Sequence, residues 1–310
     1  MSQTVERIRA FNREWTEQLG LLDRGLLDTE HSLAEARVLF ELAQRPDWEQ
    51  LELRRRLGID ASFLTRVLNR LQRQGLVEAS RSAEDGRRRL VQLTAAGRSA
   101  AGELDRRSAG QIRRLIAPLS PRQQREVVEA MTVISALLQP GGGERTVTVR
   151  ELEIGDMGWV VERHGAVYAD EFGWDRDFEG LVARIVADYH ANHQPGYENA
   201  WIAEVDGARA GCVFCCRRDE KTAQLRILLV EPWARGLGIG SRLVDTCIAF
   251  ARDAGYPRMM LWTNDVLVSA RRIYEAAGFE LVESEPHHSF GHDLIGQNWE
   301  LDLSHPSVSR

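Results

Sequence analysis

The sequence predicts two domains, a mostly helical one followed by an α/β one. Its 310 residues exceed one typical domain. The charge also changes sign along the chain. Residues 1–140 hold 23 arginines against 19 carboxylates, a net of +4, whereas the rest holds 17 basic and 27 acidic side chains, a net of −10. Between the two parts, Pro140-Gly141-Gly142-Gly143 ends a helical pattern and makes a short flexible linker. The expected division is 1–139, a linker at 140–145, a second domain at 146–304 and a tail at 305–310.

The first domain reads as helix after helix. Val5, Ile8, Phe11, Trp15, Leu19 and Leu22 form one apolar stripe, and Leu33, Val38, Leu39 and Leu42 form a second. A shorter helix, Trp48–Leu57, is broken by Gly58, and its Arg54-Arg55-Arg56 reads as a solvated face. Asp60 can cap the next helix, where Phe63, Leu64, Val67, Leu68 and Leu71 share one face. Its other faces show Ser62, Thr65, Arg66, Asn69, Arg70 and Arg73. After Gly75, the segment Leu76-Val77-Glu78 is extended. An Asp85-Gly86 tip then leads through Arg87-Arg88-Arg89 into Leu90-Val91-Gln92-Leu93, which is a hairpin signal. A long helix runs from Thr94 to about Ala117, and Ser120-Pro121 opens the last one.

Two helices, a third, a Gly-Leu-Val exit and the hairpin Asp85-x-Arg87 closing in Leu93-Thr94-x-x-Gly97 resemble the MarR family of dimeric winged helix-turn-helix transcription regulators. The resemblance covers residues 1–139. It implies that the Asp60–Gln74 helix enters the major groove of a double-stranded DNA operator. Ser62, Thr65, Arg66 and Arg70 are then candidate DNA contacts on that helix, and Arg87, Arg88 and Arg89 on the wing. Asp85 would orient Arg87. A homodimer would set two such helices about 34 Å apart. Its interface would draw on the Val5–Leu22 stripe together with Ile112, Leu115, Val127, Val128, Met131 and Ile134.

The second domain begins with strand Val147–Arg150 and helices Met157–Tyr168 and Phe178–His190. Strands Ala200–Val205 and Arg209–Cys216 follow, turning at Asp206-Gly207. The apolar run Ile227–Val230 stops at Pro232, which cannot continue a ladder. Then Arg235-Gly236-Leu237-Gly238-Ile239-Gly240-Ser241 opens a helix. Glycines at a helix N-terminus let backbone N–H groups cradle phosphate oxygens. A P-loop would need a lysine after the last glycine, but the chain's one lysine is Lys221. A dinucleotide fingerprint would need G-x-G-x-x-G.

The strand, the glycine loop and a later helix ending Ile273-Tyr274-Glu275-Ala276-Ala277-Gly278-Phe279 resemble the GNAT family of N-acetyltransferases. That implies an α/β fold with a mixed, mainly antiparallel sheet, and acetyl-CoA as cosubstrate. Leu228, Leu229, Val230, the loop Arg235–Ser241 (with Leu237, Gly238, Ile239 and Gly240) and Asn264 would hold it, and Tyr274 would be the general acid. The family's frequent Asn seven positions before the tyrosine is Leu267 here, and the strand position of a general-base glutamate falls at Trp262. Glu171, Trp174 and Asp175 are candidate acceptor contacts, an acidic and aromatic lining that suits an amine. His287 and His292 are candidates for deprotonating it.

Cys212, Cys215, Cys216 and Cys247 read as small core residues in a reduced interior, since alternation turns Cys212 and Cys215 to opposite faces. The histidines match no zinc pattern, so no metal is expected. Neither a membrane span nor a secretory signal is expected. A cytoplasmic bacterial protein, on the nucleoid when bound to DNA, is expected. The leading reading is a transcription regulator that also acetylates an amine of a small molecule or protein. Two alternatives stand beside it: a sensor of CoA species without turnover, and an enzyme that uses the winged helix as a dimerising scaffold.

Overall fold

Contacts divide the chain between Ser120 and Pro121 into two units. The computed structural model describes residues 2–22, 25–81, 88–138 and 145–304. Asp85, Arg87, nearly all of the expected linker and the 305–310 tail lie outside the described residues.

The first unit runs α1 (Gln3–Gln18), α2 (Leu33–Ala43), β1 (Trp48–Glu49), α3 (Gln50–Leu57), α4 (Ala61–Arg73), β2 (Val77–Arg81), β3 (Arg89–Leu93) and α5 (Ala95–Ile116). Strands β2 and β3 pair antiparallel, and β1 adds to the other side of β3. The sequence put Trp48 and Glu49 inside a helix. Instead they pair with Val91 and Leu90, which buries the Trp48 ring, and the helix starts two residues later than expected, at Gln50. Leu39, Leu53, Leu64, Leu71 and Val91 fill the core. Asp60 caps α4 as expected, accepting from the Phe63 N–H at 2.8 Å. Helix α1 buries none of its residues, and Val5, Ile8 and Phe11 stand exposed.

The second unit runs α6 (Pro121–Leu138), β4 (Val147–Glu151), α7 (Asp156–Phe172), α8 (Arg176–Asn192), β5 (Asn199–Val205), β6 (Ala208–Arg217), β7 (Thr222–Val230), α9 (Ile239–Asp253), β8 (Arg258–Asn264), α10 (Val268–Ala276), β9 (Glu280–Ser289) and β10 (His292–Asp302). Its seven strands lie in the order β4-β5-β6-β7-β8-β10-β9. Only β7 and β8 are parallel, so the sheet is mixed and mainly antiparallel. Helix α9 makes the crossover that this one parallel pair requires. At the β5–β6 hairpin, Asp206 and Gly207 both adopt positive φ, the geometry that a two-residue turn demands.

The sheet buries both faces. Trp201, Ala203, Val213 and Cys215 meet α9 and α10, and Ala200, Ile202, Cys212 and Phe214 meet α7 and α8. The alternation expected for Cys212 and Cys215 is therefore observed, and all four cysteines are free. Helix α6, expected in the first domain, belongs to the second unit. Its Glu129 accepts two bonds from Arg209 of β6, at 3.0 and 3.1 Å, and Val128 sits over the Asp206-Gly207 turn. No helix among the described residues is long and apolar enough to cross a membrane.

Candidate functional site

Strands β7 and β8 pair only from Thr222 to Leu225 and from Arg258 to Leu261. A bulge opposite Cys212 to Phe214 then bends β7, with Ile227 held at φ +53. A β-branched residue at positive φ is strained, and such strain persists only where the surroundings enforce it. Beyond the bulge β7 keeps its bonds to β6 and leaves β8. Its Leu228–Val230 backbone thus presents a free edge to a cleft of about 480 Å³.

The other walls of this cleft are the glycine loop, the start of α9, one face of α10 and the end of α7. Gly236 (φ +83) and Gly238 (φ +73) occupy the left-handed region, and a side chain added at either would stand in open space. The loop is bare backbone at the N-terminus of a 15-residue helix, where the first N–H groups lack partners inside the helix. Gly240 has a different reason: a Cβ there would come within 2.6 Å of Ile273 on α10. Just before the loop, buried Glu231 is gripped by Arg163 of α7 at 2.6 and 3.0 Å. Leu228, Leu229, Val230, Arg235, Gly236, Gly238, Ile239, Gly240 and Ser241 all line the cleft, whereas Leu237 is exposed off its wall.

A second cavity, of about 400 Å³, shares Tyr168, Leu228, Leu267 and Ala270 with the first. Tyr274 forms part of its wall, one residue on from Ile273 in the first cleft. The Tyr274 ring meets Phe279 edge-on at 5.9 Å and is 5% exposed. Burial pushes its phenol far above the ordinary value, so the hydroxyl keeps its proton. Tyr168, facing it from α7, is raised for the same reason.

Several expected site residues lie elsewhere. Asn264 lines the second cavity rather than the cofactor-side cleft, and its Oδ1 meets His287 Nε2 at 2.9 Å. Glu171 lines the first cleft, where it pairs with Arg235 at 2.8 Å. Asp175 caps α8 through the Asp177 N–H at 2.9 Å, a structural task. His292 is exposed and bonded to the Gly173 carbonyl at 3.1 Å. Trp174 is buried on the second cavity's wall among Tyr168, Phe178 and Phe290. No carboxylate is among the described residues around the second cavity.

His164 was not foreseen. It is 2% exposed on α7 at this cavity, and its Nδ1–H donates to the Val160 carbonyl at 2.8 Å. Burial lowers its pKa to about 4, so the ring is neutral and Nε2 is a bare acceptor without a partner among the described residues. A lone histidine inside a helical pattern carries no local signal of this. No cluster of metal-ligating residues occurs among the described residues.

In the first unit, Ser62 and Arg66 are exposed near the start of α4, and Thr65 is half-buried. Arg66 lies over the Phe63 ring at 5.7 Å. Arg70 keeps 54% of its side chain exposed while pairing at 2.7 Å with Glu35, which is 2% exposed, and so ties α4 to α2. Arg56, read as solvated, likewise holds buried Glu41. Arg88 meets Glu49 at 2.7 Å, and Arg89 is exposed at the start of β3.

A family model described as the Acetyltransferase (GNAT) family matches residues 162–279, and one described as the MarR family matches residues 31–88. An uncharacterized N-acetyltransferase of Schizosaccharomyces pombe is 30% identical over 129 residues, which is 39% of this chain and 74% of that protein. N-acetyltransferase 8B of Homo sapiens is 38% identical over 85 residues, 26% of this chain and 37% of its own length. A probable N-acetyltransferase camello of Xenopus tropicalis is 32% identical, with 35% and 53% covered. A structure of a putative acetyltransferase from Salmonella typhimurium with its cofactor acetyl-CoA covers 53% of this chain and 99% of that one, at 20% identity and a TM-score of 0.44.

Proposed function

From a chain that belongs to the GNAT acetyltransferase family and carries a MarR-family region ahead of that domain, we infer a DNA-binding regulator that transfers acetyl from acetyl-CoA to an amine. The observation that carries the enzymatic half is the bare glycine loop at the start of α9 beside the splayed β7 edge, with protonated Tyr274 on the wall of the adjoining cavity.

The residues fit acetyl-CoA. The free N–H groups of Gly238–Ser241 and the positive end of α9 suit a pyrophosphate. The unpaired edge of Leu228–Val230 offers strand-like hydrogen bonds to a chain of amides, and Arg235 adds a cation at the mouth. Bound there, acetyl-CoA supplies an activated thioester. Tyr274 would hold a proton at Oη for the departing thiolate. The second cavity positions the amine, and its aromatic walls exclude water. An intact phenol in the adjoining cavity favours turnover over sensing alone.

The first unit is read as the DNA-binding half, with Ser62, Thr65 and Arg66 toward base edges and the exposed α1 stripe toward a second copy. A cytoplasmic setting follows from that reading.

Calorimetry with Gly238→Asp tests the cofactor placement, because a carboxylate there would face the phosphates. Wild type should bind acetyl-CoA and the variant should not. A panel of amines followed by release of free thiol then tests turnover.

A further inference from the structure

We propose that the acceptor is a primary amine bearing a carboxylate and an aromatic body, taken by Arg226 and Arg218 and by the aromatic wall of the second cavity. The proposal rests on the acetyltransferase reading for what happens to the amine, and on the cavity alone for what binds.

The lining decides the class. Two guanidiniums reach this cavity, Arg226 from β7 and Arg218 from the turn after β6. Neither has a carboxylate partner among the described residues, and the Arg218 guanidinium meets the Met260 sulfur at 2.5 Å. Elsewhere in this unit the guanidiniums near the site are spoken for: Arg163 by Glu231, Arg209 by Glu129, Arg235 by Glu171. Arg226 is half-buried, and a guanidinium drawn out of water without a counter-charge costs free energy that an incoming carboxylate recovers. Arginine's planar fork matches a carboxylate bidentately.

The remaining surface fits an aromatic body. Trp174 and Phe178 are buried on one side, and Trp262 lies on the other with 43% of its surface exposed. Gly296 of β10 makes room for the Trp262 indole: a Cβ there would stand 2.9 Å from Nε1. Trp262 stands at the strand position that carries a general-base glutamate in the resembled family, so this strand offers a ring face in place of a charge. With no carboxylate in the lining, nothing here rewards a polyamine. The bare Nε2 of His164 can accept a hydrogen bond from a neutral amine.

Matched pairs test the idea. The full-length protein is assayed with L-phenylalanine against phenethylamine and L-tryptophan against tryptamine, each with acetyl-CoA. In parallel, binding of all four is followed by calorimetry without acetyl-CoA. The carboxylated member should be favoured by on the order of 10- to 100-fold in kcat/KM and in Kd, the range for a hydrogen bond to a charged group. Arg226→Gln should collapse that ratio. Equal or reversed preference, or a ratio that survives Arg226→Gln and the Arg218→Gln/Arg226→Gln double variant, overturns the proposal, as does failure of all four to bind. If the pairs discriminate in calorimetry while no thiol is released, the carboxylate site stands and the acetyltransferase reading fails.

Discussion

Tyr274 owes its fitness as a proton donor to burial. A phenol held above its ordinary pKa stays protonated at neutral and mildly alkaline pH, so its proton is available whenever a thiolate forms beside it. General-acid assistance is typically worth about 10²- to 10⁴-fold. Tyr274→Phe should therefore lower kcat within that range. It should leave the acetyl-CoA Kd nearly unchanged, since the phosphate loop and the β7 edge are untouched; stopped-assay kinetics and calorimetry check the two halves. His164 gives a stability prediction. Its pKa falls from the ordinary 6.5 to about 4 on folding, so the unfolded chain binds more protons between those values. Above about 6.5 no penalty exists. As pH falls the folded unit loses up to about 3 kcal/mol, complete below about 4. His164→Phe should flatten the fall of the second unit's Tm between pH 6.5 and 4, measured by calorimetry; an unchanged slope would remove His164 as its cause. The end of α10 around Tyr274 was legible in the sequence because its signal is local, a helix stopping at Gly-Phe. Arg70, Asp175 and His164 were not, because what decides each lies across the fold or in burial: Glu35 on another helix, the cap of α8, and the aromatic wall around the imidazole.

At the scale of elements, the run Leu93-Thr94-x-x-Gly97 turns out to be a joint. Thr94 caps α5 by accepting from the Gly97 N–H at 3.0 Å, and its hydroxyl donates to the Gly75 carbonyl at 2.7 Å. That ties the start of α5 to the exit of α4. Gly97 lies so close to the same exit that a Cβ would fall 1.9 Å from the Leu76 carbonyl oxygen. This is backbone, which cannot swing aside as a side chain can. Gly97→Ala should cost the first unit about 1–3 kcal/mol, the range for overpacking a filled interior, or more. Urea unfolding of that unit measures it, and a loss below 0.5 kcal/mol would show that the joint gives. The same logic explains what element-level reading found and missed. Strong periodicity located α4 and strands β4, β5 and β6 to within a residue at each end, whereas the apolar run Ile227–Val230 marked only the last part of β7. Two-residue β1 has no period to read, and its existence depends on β3 being there to receive Trp48.

At the scale of the molecule, the two-part organisation followed from charge and from the Pro-Gly-Gly-Gly run, but the run does not coincide with the division in contacts. Helix α6 precedes the glycines in sequence yet is counted with the second unit, through the Arg209 to Glu129 pair and the fit of Val128 over Gly207. Side-chain partners of that kind are invisible to composition. The DNA proposal belongs to this scale because it needs two copies. Helix α1 leaves Val5, Ile8 and Phe11 exposed on one stripe, more apolar surface than a peripheral helix gains by showing to water. Covered by a second copy, it would yield a dimer with two α4 helices for successive major grooves. Arg66→Ala should then cost about 1–3 kcal/mol of discrimination between operator and unrelated duplex, as for one good base contact. Arg89→Ala should weaken both complexes evenly and reduce the salt slope by about one, as for one phosphate contact. The measurement is a mobility-shift series at two salt concentrations, using fragments pulled down from the source genome and an unrelated control. Discrimination that survives Arg66→Ala would move base reading off this helix. If no fragment is preferred over the control, residues 1–139 are a scaffold for an enzyme, and the +4 charge of that half is only a solvated surface.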